Sequence, residues 1–210
     1  MRAYFYFNLV RAYGDVPYFT EMVTTDQVNS LTRTPAQEIF NAIIAECDKL
    51  STELPADYTK LGLDGIAPAE NGRVTCYAAL ALKARAALYA ASPLFNPENN
   101  KDLWRRAAEA NKEVIETCTA NGFKLSKYSE LWGPNNWSNN EMIFVRRYNG
   151  NISTLEEYNF PMGVPGGNSG NCPTQNMVDA YEMKATGKMW NETGSGYDAS
   201  NPYAGRDPRF

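Results

Sequence analysis

The residues best suited to chemistry in this 210-residue chain are flat aromatic rings set among side-chain amides. Trp132, Trp137, Tyr148, Tyr158, Phe160, Trp190 and Tyr197 are interleaved with Asn135, Asn136, Asn139, Asn149, Asn151 and Asn159. Rings of this kind stack on apolar C–H faces, and amides exchange hydrogen bonds with hydroxyls. The pattern therefore suits noncovalent recognition of a ligand that offers both. Trp137 and Tyr158 lead the candidates, because their Asn-rich flanks predict exposure; Trp132, Phe160, Asn136 and Asn159 follow. Each ring taken singly has a plainer reading, since a buried aromatic stapling a loop is commoner than a ligand platform. As a set, they are expected to supply at least one ligand contact.

Bond-making chemistry finds less support. The chain contains no His, which removes Ser-His-Asp and Cys-His catalysis and His-ligated zinc within this segment. A glycoside hydrolase would need two carboxylates facing each other across a sugar. Glu156-Glu157 is the sole adjacent acidic pair in the aromatic region, and adjacent residues seldom face across a cleft. The four cysteines, Cys47, Cys76, Cys118 and Cys172, have no CxxC spacing, against a zinc ribbon or thioredoxin-type site. Cys47, Cys76 and Cys118 lie on apolar or small-residue helix faces, where a thiol behaves as a small hydrophobe rather than a disulfide partner. The expectation is a binding protein without catalytic residues, metal or cofactor.

Composition narrows the partners. An apolar fraction of 43% with 21% charged residues is that of a globular chain. The net charge is −4, and no basic cluster exceeds Arg105-Arg106 or Arg146-Arg147, so a nucleic-acid partner is not expected. No run of 18 apolar residues is present to span a membrane as a helix.

The positioning elements are mainly helical. Arg2 to Tyr13 is apolar nearly all round (Tyr4, Phe5, Phe7, Leu9, Val10), which predicts burial in a larger body, and Gly14 with Pro17 ends it. From that helix at the start of the chain, the sequence is expected to be an internal piece of a longer protein. Arg11 and Asp15 are candidates to pair. Thr34-Pro35-Ala36-Gln37 predicts a helix start, with Thr34 as cap, Pro35 at the first helical position and Gln37 reaching back. The helix that follows carries Ile39, Phe40, Ile43, Ile44, Cys47 and Leu50 at helical spacing and ends near Pro55.

After a loop broken by Pro55, Gly62, Gly65 and Pro68, an Ala-rich helix runs from Cys76 to about Ser92. Alanine on more than one face lets neighbours approach from several sides, as a central helix of a stacked array requires. A fourth helix, about Asp102 to Thr119, sets Leu103, Trp104, Ala107, Ala110, Val114, Ile115 and Cys118 on an apolar stripe. With its predecessor it has the character of tetratricopeptide-like hairpins, without a regular 34-residue period. Beyond Gly122 the chain turns to Gly, Asn, Pro and aromatics. A short strand is expected at Glu141–Arg146 and a short helix from Pro173 through Val178 to Met183. The reading divides the chain into a helical scaffold, 1–122, and a loop-rich portion of the same domain, 123–210.

In order along the chain, these pieces resemble the SusD/RagB family of outer-membrane nutrient-binding proteins. The matching residues begin with Tyr6-Phe7-Asn8-Leu9-Val10-Arg11-Ala12-Tyr13-Gly14-Asp15-Val16-Pro17, then Gly72-Arg73-Val74-Thr75 and the Ala-rich helix ending Leu88-Tyr89-Ala90-Ala91-Ser92-Pro93-Leu94. The Trp104/Ala107/Ala108 helix, Glu141-Met142-Ile143-Phe144 and Pro173-Thr174-Gln175-Asn176-Met177-Val178-Asp179-Ala180-Tyr181-Glu182 follow, and Tyr203 with Arg206-Asp207-Pro208-Arg209-Phe210 comes last. The resemblance implies a mainly helical fold with a tetratricopeptide-like scaffold and irregular ligand-binding loops. It implies a non-catalytic lipoprotein on the outer face of the outer membrane, whose lipid anchor lies outside this chain. Such a protein captures oligosaccharides or polysaccharides for a SusC-like TonB-dependent transporter. The family's sugar-contacting residues do not carry over one by one, and Gly14, Pro17, Arg73, Asp207 and Arg209 are read as structural punctuation. Two other readings stand beside it: an intracellular tetratricopeptide adaptor, and the carboxylate-dependent glycoside hydrolase weighed above.

Overall fold

The computed structural model describes residues 1–58, 73–132, 139–145 and 157–210, with the side chain of Trp132 outside the description. The chain forms two compact units, Met1–Arg147 and Tyr148–Phe210. The first is helical: α1 (Arg2–Tyr13), α2 (Thr25–Val28), α3 (Ala36–Glu53), α4 (Cys76–Ala91) and α5 (Lys101–Ala120), followed by a 3-10 turn at Tyr128–Trp132. The second is loop-rich and carries α6 (Gln175–Asp179). Among the described residues, strand-like pairing is confined to two isolated antiparallel bridges, Val16 with Thr34 and Met183 with Arg206.

Helix α4 is the centre of the first unit. Helices α3 and α5 both pack on it, and α1 packs chiefly on α3. The cause is the alanine content: Ala78, Ala79, Ala84, Ala86, Ala87, Ala90 and Ala91 are buried at well-separated angles around the helix. Side chains that short let two neighbouring helices approach at once. The larger side chains come from α1 and α3, where Val10, Ile39, Phe40, Ile43 and Cys47 are the bulkiest fully buried groups. Each such apolar side chain contributes about 1.5–3 kcal/mol by leaving water. Phe40 meets Phe95 edge-on at 5.0 Å and Phe7 meets Tyr89 at 5.2 Å, fixing both helices to the α4 end of the unit.

The helix boundaries follow the sequence closely, but some details depart from it. On α1 one face is covered (Ala3, Tyr6, Phe7, Val10), while Tyr4, Phe5, Leu9 and Tyr13 are exposed in this chain. Gly14 ends the helix with φ of 70°, a conformation that favours glycine, as expected. Asp15 does not pair with Arg11. Its carboxylate accepts the Ala36 N–H at 2.7 Å, and Arg11 stands over the Phe7 ring at 5.9 Å. Helix α3 accordingly starts at Ala36, with Pro35 rather than Thr34 at the cap. Gln37 reaches across to the carbonyls of Ala90 and Phe95, at 2.6 and 2.8 Å, instead of back to its own cap.

On α5, Ala107, Ala110 and Cys118 are buried, but Trp104 and Ile115 face solvent. The Trp104 indole N–H donates to Asn99 Oδ1 at 3.1 Å. Asn100 caps the helix, accepting the Asp102 N–H at 2.9 Å. The expected strand at Glu141–Arg146 does not form over its described residues, 141–145. Asn139 organises a turn there: its side-chain oxygen accepts from the Glu141 N–H and the Ser126 hydroxyl, and its carbonyl from the Met142 N–H. All four cysteines are free thiols; Cys47 and Cys118 are buried, Cys76 is half-buried and Cys172 exposed. Burial pushes the Cys47 thiol up to about 11, so it is an inert core group.

Candidate functional site

Three of the six expected site residues are consecutive and described together. Tyr158, Asn159 and Phe160 begin a closed loop that runs from Glu157 to Cys172 in the second unit. Trp137 and Asn136 lie outside the described residues, as do Tyr148, Asn135, Asn149 and Asn151. Trp132 closes the 3-10 turn Tyr128–Trp132.

The loop is built by its own backbone. Asn168 N–H donates to the Glu157 carbonyl at 3.0 Å, Ser169 N–H to Phe160 at 3.0 Å, and Asn171 N–H to Tyr158 at 2.8 Å. These bonds pair the two arms. The Asn171 side-chain amide adds a donor to Asn159 Oδ1 at 3.0 Å. The tip, Pro161 to Gly167, folds through Val164 N–H to Pro161 and Gly167 N–H to Val164, and the Ser169 hydroxyl accepts the Met162 N–H at 2.7 Å. Gly163 and Gly166, with φ of 99° and 83°, make the turn that a side chain would strain. A Cβ on Gly167 would lie 2.3 Å from the Pro161 carbonyl oxygen, so the arms close only around a glycine.

This closure leaves apolar groups in solvent. Tyr158 is 54% exposed and Phe160 43%, with Met162 and Val164 also exposed at the tip. The loop can therefore offer ring surface and amides to a ligand without first being unpacked. Glu157 carries the single formal charge between residues 157 and 172. One carboxylate in this stretch does not make the facing pair that glycoside hydrolysis needs.

Two other rings singled out in the sequence have a structural role. Trp190 and Tyr197 are half-buried and meet edge-on at 5.5 Å. The Arg206 guanidinium stands over Tyr197 at 5.2 Å and donates to the carbonyls of Tyr181 and Pro202, at 2.9 and 3.0 Å. Arg206 is the buried group that locks these loop segments together, and Asp207 and Arg209, expected from the sequence to be structural, add to the same junction. Those two form a bidentate pair between a half-buried Asp207 and an exposed Arg209, with both bonds at 2.8 Å. Arg209's side chain and backbone N–H hold the Asp207 carboxyl at about 2. Among the described residues, no cluster of His, Cys, Asp and Glu is arranged to hold a metal.

No protein-family model matches the chain. It is 25% identical, over all of its length, to SusD-like protein P25 of Formosa agariphila, and spans about two fifths (39%) of that relative. The fold is similar to that of a SusD-like protein from Bacteroides fragilis, with a TM-score of 0.73 and 27% identity over 99% of this chain and 40% of the other. It is likewise similar to a SusD-like carbohydrate-binding protein from Bacteroides fragilis, with a TM-score of 0.74 and 26% identity over 99% of this chain and 37% of the other.

Proposed function

We propose that this chain, which is SusD-like in sequence and fold from end to end, belongs to a non-catalytic protein that binds oligosaccharides or polysaccharides at the cell surface. In this reading the longer protein is held on the outer membrane by a lipid anchor and passes its glycan to a SusC-like TonB-dependent transporter. The observation that carries the proposal is the agreement of the whole chain with a structure described as carbohydrate-binding. The chemistry of the Glu157–Cys172 loop supports it. A sugar ring presents an apolar C–H face ringed by hydroxyls, and the loop presents exposed rings beside amides. Among the described residues no helix is long and apolar enough to cross a membrane, which is compatible with attachment through a lipid.

Trp137, Tyr158, Trp132, Phe160, Asn136 and Asn159 are the proposed contact residues, with Trp137 and Tyr158 foremost. The test is binding of the full-length protein to a polysaccharide panel by calorimetry, with Trp137→Ala measured beside it. Affinity for at least one member, weakened in the variant and without release of reducing sugar, is the expected result. Release of reducing sugar would favour the hydrolase instead. Co-purification with a TonB-dependent transporter tests the delivery step, and its absence from detergent-solubilised outer membranes would sink that part.

A further inference from the structure

Tyr158 combines two properties that seldom occur together: its ring is more than half exposed, yet it lies tightly against backbone. A Cβ on Gly170 would stand 2.2 Å from Tyr158 Cδ1, 3.0 Å from Cε1 and 3.2 Å from Cγ. Real carbon atoms do not approach so closely, so the ring occupies this position only because residue 170 has no side chain. The neighbouring residue reinforces the contact, since Asn171 N–H is bonded to the Tyr158 carbonyl and its side chain to Asn159. An exposed ring normally samples several rotamers and loses that freedom when it binds. Here the rotamer is limited before any ligand arrives.

The surroundings define what such a ring would take. The groups exposed beside it are Asn159, Phe160, Asn168 and Asn171, all neutral, and the loop's one formal charge is the Glu157 carboxylate. A sulfated or uronic-acid glycan would meet no cation in this loop and one anion. An uncharged sugar would meet a ring for its C–H face and amides for its hydroxyls.

We infer that Tyr158 is a preformed stacking surface for one face of an uncharged sugar ring, and that Gly170 is the positioning residue that sets it. The inference rests on the glycan-binding reading above and adds to it a ligand class and the role of Gly170.

The experiment uses the full-length protein and a panel of starch, xyloglucan, galactomannan, polygalacturonate and chondroitin sulfate. Wild type, Tyr158→Ala, Tyr158→Phe, Gly170→Ala and the Tyr158→Ala/Gly170→Ala double variant are compared, with thermal unfolding as a check on the fold. Wild type is expected to prefer a neutral member, with affinity unchanged up to about 1 M salt, where the Debye length is about 3 Å. Tyr158→Ala should weaken binding by roughly tenfold or more, as loss of an interface anchor does. Tyr158→Phe should recover most of that loss.

Gly170→Ala should weaken binding comparably, and the double variant should be no weaker than Tyr158→Ala, because Gly170 acts through the ring. A merely structural glycine would instead add its own loss to that of Tyr158→Ala, and that result would overturn the inference. So would affinity confined to the anionic members, or a Tyr158→Ala protein that binds as wild type does. A wild-type protein that binds nothing in the panel would overturn the glycan reading and this inference together.

Discussion

The carboxylate of Asp15 accepts the backbone N–H of Ala36 at 2.7 Å, so the first turn of α3 is capped by a residue 21 positions earlier in the chain. A negative group at this end also lies favourably in the field of the helix's unpaired N–H groups. Beside it, Thr34 N–H donates to the Val16 carbonyl at 3.0 Å, so the segment after α1 is tied to the segment before α3 by backbone and side chain together.

Asp15→Ala is therefore expected to cost about 0.5–2 kcal/mol, the range for a lost N-cap. Asp15→Asn keeps an acceptor and should cost less. Urea midpoints of the two variants check the order; equal loss in both would mean that charge, not the acceptor, is what matters.

That contact also marks where the sequence is legible. Helical spacing and the alanine run were enough to find α1, α3, α4 and α5 and the central position of α4, because both depend on neighbours within a few residues. The cap of α3 was not, since Thr34 and Asp15 are equally good capping residues and only tertiary closure selects the second. The apolar run Glu141–Arg146 has the composition of a strand, but a strand needs a partner, and over the described residues 141–145 Asn139 turns the chain instead. In the loop-rich unit, ring-and-amide composition led to Tyr158, Asn159 and Phe160. Asn-rich flanks set Tyr158 ahead of Trp190 and Tyr197, which pack around Arg206. Gly170 is not among the sequence candidates, because its close contact is with a ring 12 residues away in the chain. Its one sequence signal was a glycine within an Asn- and Ser-rich run.

Arg206 gives the second prediction. Its guanidinium, in a residue only 6% exposed, spends separate nitrogens on the Tyr181 and Pro202 carbonyls while lying over Tyr197. Lysine has one compact ammonium and cannot reproduce that fork. Arg206→Lys should cost about 1–3 kcal/mol, the cost of leaving a buried partner unsatisfied. Hydrogen exchange should quicken at the Lys184 and Asp207 amides, which bond to Gly205 and Glu182 across the same junction. Unchanged protection at both amides would refute the lock.

The third prediction concerns acid. Asp207 accepts from the Arg209 side chain and backbone, and its carboxyl falls from 3.8 to about 2. A depressed carboxyl stabilises the fold above its unfolded value, and that contribution disappears as pH falls through the folded value. The window is thus from about pH 4 to about pH 2. Because the partner guanidinium of Arg209 is exposed, the effect should be small and weakened by salt. An NMR titration of the Asp207 carboxyl carbon reads the value directly, and Arg209→Ala should return it toward the ordinary range.

Lys83 behaves in the opposite sense. Its side chain is only 14% exposed and joins Asp48 on α3 to Glu113 on α5, with nitrogen–oxygen distances of 2.5 and 2.7 Å. Burial pulls the ammonium down, but hydrogen bonds and charge from the two carboxylates outweigh it, and the net shift is upward. A raised cation contributes fully below its unfolded value, about 10.4, and loses that contribution as pH rises through the folded value. Lys83→Met keeps an apolar stem at this position of α4 and removes the charge. Asp48 and Glu113 are 61% and 44% exposed and can rehydrate, so the cost near neutral pH should be about 1 kcal/mol rather than that of a fully buried orphan charge. The stability difference between wild type and Lys83→Met should stay level from pH 7 to about 10 and shrink above it, as lysine deprotonates. A difference that grew in alkali would mean that the desolvation of Lys83, not its pairing, dominates the three-helix junction.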